Sequence, residues 1–198
     1  MMPVGAPERV RHSPSVRITH WINTVAFAAL VVSGTAILLA HPRLYWGETG
    51  GVGASSILDL PLPFMLTGQS GWGRSLHFLS AWVCVGNGLL YAVGGASSGH
   101  FRRDLLSASA YGTLQRLAYL TVVFELLPLM IWTGLAMSPA VTAAAPVLVE
   151  VFGGQQSART IHFVVTSVLL VFLAGHVAMV CLSGFRSQMR GMLMGTRS

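Results

Sequence analysis

Arg159-Thr-Ile-His162-Phe-Val-Val-Thr-Ser-Val-Leu-Leu-Val-Phe-Leu-Ala-Gly-His176-Val-Ala-Met-Val-Cys-Leu182 is one long apolar run with a histidine near each end. As an α-helix, residues 160 to 182 reach about 34 Å, enough to cross the roughly 30 Å of hydrocarbon in a bilayer. The two histidines stand fourteen residues apart. That spacing is about 21 Å of rise and about 1,400° of rotation, within about 40° of four full turns. Both imidazoles therefore share one helix face, near opposite membrane surfaces. Ionisable side chains are costly inside a membrane and mark function when they occur there.

Outward from this run, three more segments have the length and apolarity of a span, at about 21–40, 76–95 and 115–137. The fold class is all-α, a four-helix membrane bundle in one domain over residues 1–198. The composition agrees. Hydrophobic residues make up 53% of the 198 and charged residues 9%, against about 25% charged in soluble domains. Mean hydropathy is +0.65. A water-soluble enzyme is excluded by this apolarity, because a chain of this size has too much surface to hide it. The formal charge of +6 does not point to nucleic acid, since the arginines punctuate the apolar runs rather than cluster on one stretch. Cys84 and Cys181 lie inside apolar runs with no CxxC or CxxCH, so neither a zinc site nor covalent haem attachment is indicated. The polar stretch 1–20 leads into a full-length apolar segment instead of a cleavage site, so the first span is expected to remain.

Arginine distribution sets the expected orientation. The segments 1–20, 96–114 and 183–198 hold Arg9, Arg11, Arg17, Arg102, Arg103, Arg186, Arg190 and Arg197. The opposite side offers Arg43, Arg74 and Arg159, offset by Glu48, Asp59 and Glu150. Both termini are thus expected in the cytoplasm, and the loop 41–75 outside. That loop is too long for a simple connection. Its apolar patch 58–66 could lie on the membrane, cap the bundle or meet a partner protein.

With this topology His77 opens the second span at the external side, level with His162, and His20 opens the first at the cytoplasmic side, level with His176. Two neutral imidazoles facing each other across a bundle suit six-coordinate haem iron, which transfers electrons and leaves no position for oxygen. Two such pairs at two depths describe a transmembrane wire. Each histidine alone could instead be an interfacial residue bonded to a neighbour, but four at matched depths argue for the haem pairs. Arginine stands three residues before three of the four, as Arg17–His20, Arg74–His77 and Arg159–His162, where chance predicts about 0.4 such pairs. A guanidinium one turn away can pair with a haem propionate, although arginine is also common at span ends for topology alone. Gly34, fourteen residues after His20, falls at the external depth, where a bare backbone admits a flat macrocycle. Gly86, Gly88 and Gly134 could act likewise or serve helix packing. Glu125 falls near the middle of the third span, where a carboxylate must be paired, protonated or water-connected; it is either a quinol proton acceptor or a bond to another helix. His41 and His100 lie outside the paired positions and suit interfacial or quinone-site surroundings. His12 reads as solvated.

These residues carry a resemblance. Arg17-Ile-Thr-His20-Trp-Ile-Asn, Ser33-Gly34, Gly73-Arg-Ser-Leu-His77-Phe, Gly99-His-Phe-Arg-Arg103 and Ala158-Arg-Thr-Ile-His162-Phe with His176 resemble the bacterial di-haem cytochrome b561 family. That family includes the membrane cytochrome b subunits of nickel-iron hydrogenase, formate dehydrogenase and thiosulfate reductase. The likeness covers about residues 12–195. It implies an inner-membrane, multi-pass anchor with two haem b groups, His20, His77, His162 and His176 as axial ligands, and electron transfer between quinone and a partner redox protein. His41-Pro-Arg-Leu-Tyr-Trp46, Gly-His-Phe-Arg-Arg and the short tail look most like the subunits that accompany periplasmic molybdopterin oxidoreductases of the sulfite-oxidase type, and a hydrogenase partner is disfavoured. Expected contacts are membrane lipid, quinone or quinol and that oxidoreductase, without nucleic acid; homo-oligomerisation is left open. Two other readings stay beside it: a self-contained quinone reductase with a small external donor, and a haem-free anchor or transporter. A transporter predicts broken helices and midplane polar sites, whereas the histidines here gather in two layers near the surfaces.

Overall fold

The computed structural model describes residues 13–51, 53–60, 69–97 and 113–195. Arg9, Arg11, His12, His100, Arg102, Arg103 and Arg197 lie outside the described residues, as does the loop stretch 61–68. Among the described residues four helical stretches are long and apolar enough to cross a membrane: Pro14–Ala40, Gly71–Gly95, Leu117–Ala136 and Gln155–Leu182.

Helix α1 (Pro14–Ala40) begins seven residues before the expected span. Ser13 caps it by accepting the Val16 N–H at 3.4 Å, and Pro14 occupies the first turn, where its missing N–H has no partner to lose. Arg17 and His20 are thereby helical and one turn apart. Strands β1 (Arg43–Leu44) and β2 (Leu58–Asp59) form a two-residue antiparallel ladder that gathers the loop after α1, with an exposed Arg43–Asp59 ion pair at 3.0 Å. Helix α2 (Gln69–Ser97) follows.

The third span is not one regular helix. Helix α3 (Thr113–Thr121) passes through a π-helical turn, Val122–Leu126, into helix α4 (Leu127–Ala136). The cause is Pro128, which cannot donate to the carbonyl four residues back; the Leu127 N–H reaches Val122 instead, one residue further along. Glu125 lies in this turn with its side chain exposed.

Two short helices, α5 (Pro139–Ala144) and α6 (Val147–Glu150), fold the connection between the third and fourth spans into a cap. Ala136, Val149 and Ala158 are buried there with Met137 and Phe152 packed against them. Trp132 closes the cap by donating its indole N–H to the Leu148 carbonyl at 3.2 Å and meeting Phe152 edge-on. Helix α7 (Gln155–Leu182) is the fourth span, and helix α8 (Phe185–Met194) turns back after Gly184 at φ +99°.

The bundle is built from two helix pairs, α1 along α2 and α4 along α7. Small residues let α1 and α2 approach closely. A Cβ on the buried Gly73 would stand 3.3 Å from the Ala36 methyl and 3.4 Å from the Ser33 carbonyl. Most large apolar side chains of the spans, among them Val25, Leu79, Leu90, Phe124 and Val171, are exposed on the protein and thus face lipid. Trp46, Trp72 and Trp132 are exposed near the end of the bundle that carries β1 and β2, the level at which indoles sit between lipid and water. This is a multi-pass membrane protein.

Candidate functional site

The loop after α1 is bolted to the start of α7. The first N–H groups of a helix lack intrahelical partners, and here the Gly47 carbonyl accepts those of Gln156 (3.0 Å) and Ser157 (3.2 Å). The Ser157 hydroxyl accepts the Gly47 N–H at 2.7 Å, and Thr160 donates to the Tyr45 carbonyl at 2.6 Å. Arg159 donates to the carbonyls of His41 and Arg43. The loop 41–47 is thus held by the turn of α7 that directly precedes His162.

His162 faces His77 across the gap between the two helix pairs. The ring centroids are 6.2 Å apart and the planes cross at 60°. Each ring is fixed from behind by the same device. Ser33 Oγ lies 3.0 Å from His77 Nδ1, and Thr133 Oγ1 lies 2.8 Å from His162 Nδ1. Both hydroxyls also turn back on their own helices, Ser33 towards the carbonyls of Ala29 (2.7 Å) and Leu30 (3.2 Å), Thr133 towards those of Leu129 (2.8 Å) and Met130 (3.1 Å). A hydroxyl has one proton. With that proton directed to a carbonyl, the oxygen accepts from Nδ1–H, and the lone pair of each imidazole is left on Nε2.

Gly34 and Gly134 follow these hydroxyls. A Cβ on Gly34 would stand 3.6 Å from His77 Cε1, and one on Gly134 would stand 3.7 Å from His162 Cε1. Bare backbone therefore borders both rings. Gly86 and Gly88, by contrast, have open space around them and border neither ring.

The donor set fits a haem. Among the described residues no three His, Cys, Asp or Glu side chains converge on one point, so this is a pair of imidazoles rather than a tetrahedral metal site. Two metal–imidazole bonds of about 2 Å, plus about 1.1 Å from each nitrogen to its ring centre, make about 6.2 Å between centroids. The observed separation of 6.2 Å is compatible with one metal ion held between the two imidazoles, and bare backbone at Gly34 and Gly134 borders the rings.

His20 and His176 lie fourteen residues from Gly34 and His162 respectively, about 21 Å along their helices towards the other membrane surface. Both are half-buried. His20 meets the edge of Trp21 at 5.5 Å and His176 stacks on Phe172 at 6.4 Å. Helix α8 closes this end by accepting from Trp21 Nε1 at Met192 (3.2 Å) and from Arg17 Nη2 at Leu193 (2.5 Å). Asn87, buried on α2, donates to the Thr19 carbonyl at 2.7 Å and ties α2 to α1 beside His20. The structure thus brings His77 and His162 together with their rings crossed at 60° and sets His20 and His176 at the opposite end.

The three arginines divide. Arg17 and Arg159 hold main-chain carbonyls, whereas Arg74 is exposed at the external end. His41, beside them, is held below its ordinary value of 6.5, by partial burial first and then by the charges of Arg159 and Arg74. Positive charge therefore converges above the His77–His162 pair.

Ser33 and Thr133 had no assigned role in the sequence reading. A signal for them exists: Ser33-Gly34 precedes Arg74-Ser-Leu-His77-Phe, and Thr133-Gly134 precedes Arg159-Thr-Ile-His162-Phe. Each helix pair repeats one hydroxyl–glycine step and one arginine–histidine–phenylalanine step.

Residues 11–195 match the family described as prokaryotic cytochrome b561. The chain is 32% identical over 193 residues to the putative protein-methionine-sulfoxide reductase subunit YedZ1 of Azospira oryzae, covering 86% of this chain and 90% of that protein. The chain belongs to the prokaryotic cytochrome b561 family of membrane proteins that bind b-type haem.

Proposed function

We propose that the protein is a di-haem b-type cytochrome that carries electrons across the bacterial inner membrane, from quinol to an oxidoreductase on the external face. The observation that carries this is the facing His77–His162 pair, with both Nδ1 atoms engaged and both Nε2 atoms available. A haem held by these two imidazoles would supply one-electron exchange.

The chain's own residues do the rest. His77 and His162 hold the external haem, and His20 and His176 a second one about 21 Å away. Gly34 and Gly134 leave the faces of the external pair open. Arg74 and Arg159 lie one helical turn before His77 and His162, and Arg17 one turn before His20, where a guanidinium could pair with a haem propionate. The cap over α7, with Trp132, Phe152 and Val149, keeps water from the external pair.

Orientation follows the arginines. Arg17, Arg186 and Arg190 mark one end and are read as cytoplasmic; Arg43, Arg74 and Arg159 at the other are offset by Glu48, Asp59 and Glu150. The external end, next to His77 and His162, is then the docking side for the partner, a periplasmic molybdopterin oxidoreductase. The name of the Azospira relative, a protein-methionine-sulfoxide reductase subunit, points to oxidised methionine in proteins as the substrate of that partner. The substrate sets the direction of flow, since sulfoxide reduction consumes electrons.

Anaerobic addition of ubiquinol or menaquinol to the air-oxidised protein in detergent tests the electron route. Reduced b-type absorbance should appear with at least one of the two quinols. Bands that answer dithionite but neither quinol would contradict the quinone link.

A further inference from the structure

We propose that Ser33 and Thr133 are positioning residues of the external haem site, which hold His77 and His162 in the Nδ1–H tautomer and set how strongly the two Nε2 atoms donate. This rests on the reading of His77 and His162 as haem ligands.

Four observations converge. Both hydroxyls are fully buried, at 0% exposure. Each crosses from one helix of its pair to the histidine of the other, α1 to α2 and α4 to α7. Each also lies within hydrogen-bond distance of two carbonyls of its own helix, and a proton directed to either of them leaves the oxygen as an acceptor for the ring. Hydroxyls elsewhere on the spans behave differently: Thr24, Thr35 and Ser167 fold back on their own helices.

The chemistry follows from charge flow through the ring. An acceptor on Nδ1–H draws that proton outward and raises the basicity of Nε2, which favours the more positive iron state. It also fixes the ring plane and prevents the alternative tautomer, in which Nε2 carries the proton and cannot bind a metal. A hydroxyl that merely filled space would do neither.

The test uses the full chain in detergent, with Ser33→Ala and Thr133→Val as the deleting variants. Ser33→Thr and Thr133→Ser restore the hydroxyl, and Ser75→Ala removes one that only folds back on Gly71. Three readouts are compared: haem affinity by titration of the apoprotein, the midpoint potential of the external haem, and ¹⁵N chemical shifts of labelled histidine in the apoprotein. Each deletion should weaken haem binding roughly 10-fold or more, move the potential positive, and mix the tautomers in the nitrogen shifts. The hydroxyl-restoring variants and Ser75→Ala should match the parent. Parent-like affinity, potential and nitrogen shifts in both deletions would overturn the inference while leaving the ligand assignment intact. Full haem content in His77→Ala or His162→Ala would overturn the ligand assignment itself, and the inference with it.

Discussion

Arg159 donates to the main-chain carbonyl of His41, joining the turn before His162 to the end of the first span. A second bond from the same guanidinium reaches the Arg43 carbonyl at 3.2 Å. One planar, charged fork thus fixes the height at which the external loop sits on α7, and no neutral or single-headed side chain can reproduce it.

Replacing Arg159 with Gln should therefore cost about 2 kcal/mol, the scale of a hydrogen bond from a charged group. Lys should not restore it. Thermal unfolding in detergent, followed by circular dichroism, measures the loss. A variant as stable as the parent would show that the fork is incidental.

His41 reports on the same cluster. Its value is held below 6.5 by partial burial and by the charges of Arg159 and Arg74, so the folded chain resists the proton that the unfolded chain accepts. Above pH 6.5 both forms are neutral and His41 contributes no pH dependence. As the pH falls below 6.5 the unfolded chain binds more protons, and folding stability falls through that window. In Arg159→Gln the titration of His41, followed by its ring proton in NMR, should move up towards 6.5. An unchanged titration would mean that Arg159 does not act on it.

Gly154 and Gly86 make a contrasting pair. Gly154 has φ +125°, and a Cβ there would run into the carbonyl of Gly47, whereas Gly86 has open space around it. Gly154→Ala should cost about 1–3 kcal/mol from backbone strain alone, and more as the loop is pushed off α7. Gly86→Ala should change stability by no more than about 1 kcal/mol. Equal melting temperatures for the two variants would contradict the close approach of the loop to α7.

Haem binding should distinguish Gly34 from Gly86 in the same way. A Cβ at Gly34 meets the His77 ring edge at 3.6 Å, in the space the macrocycle requires. A bulky substitution such as Gly34→Leu should lower external haem content sharply, while Gly86→Leu should leave it unchanged. Pyridine haemochrome assay of both variants decides it.

What the sequence disclosed and what it hid have a common physical reason. The approach of His77 to His162 was legible because a helix has fixed rise and rotation, so position along the span determines depth and face. The four spans were legible because length and apolarity alone define them. Ser33 and Thr133 were not, because serine and threonine in apolar helices ordinarily bond their own carbonyls, and a second bond to a neighbouring helix depends on packing. The cap on α7 was hidden for a related reason: it rests on main-chain groups of Tyr45 and Gly47, whose identities do not announce it. The π-helical turn had a visible cause in Pro128, but proline in a membrane helix specifies a disturbance without specifying its form. The start of α1 at Pro14 was signalled by Ser13-Pro14, a capping pair that apolarity alone overlooks.

Haem stoichiometry tests the two-layer arrangement most directly. Pyridine haemochrome assay and reduced-minus-oxidised spectra of the purified protein should give two b-type haems per chain, and one in each of His20→Ala and His77→Ala. A protein with no Soret band despite haem supply, or one whose haem content is the same in both substitutions as in the parent, would contradict it.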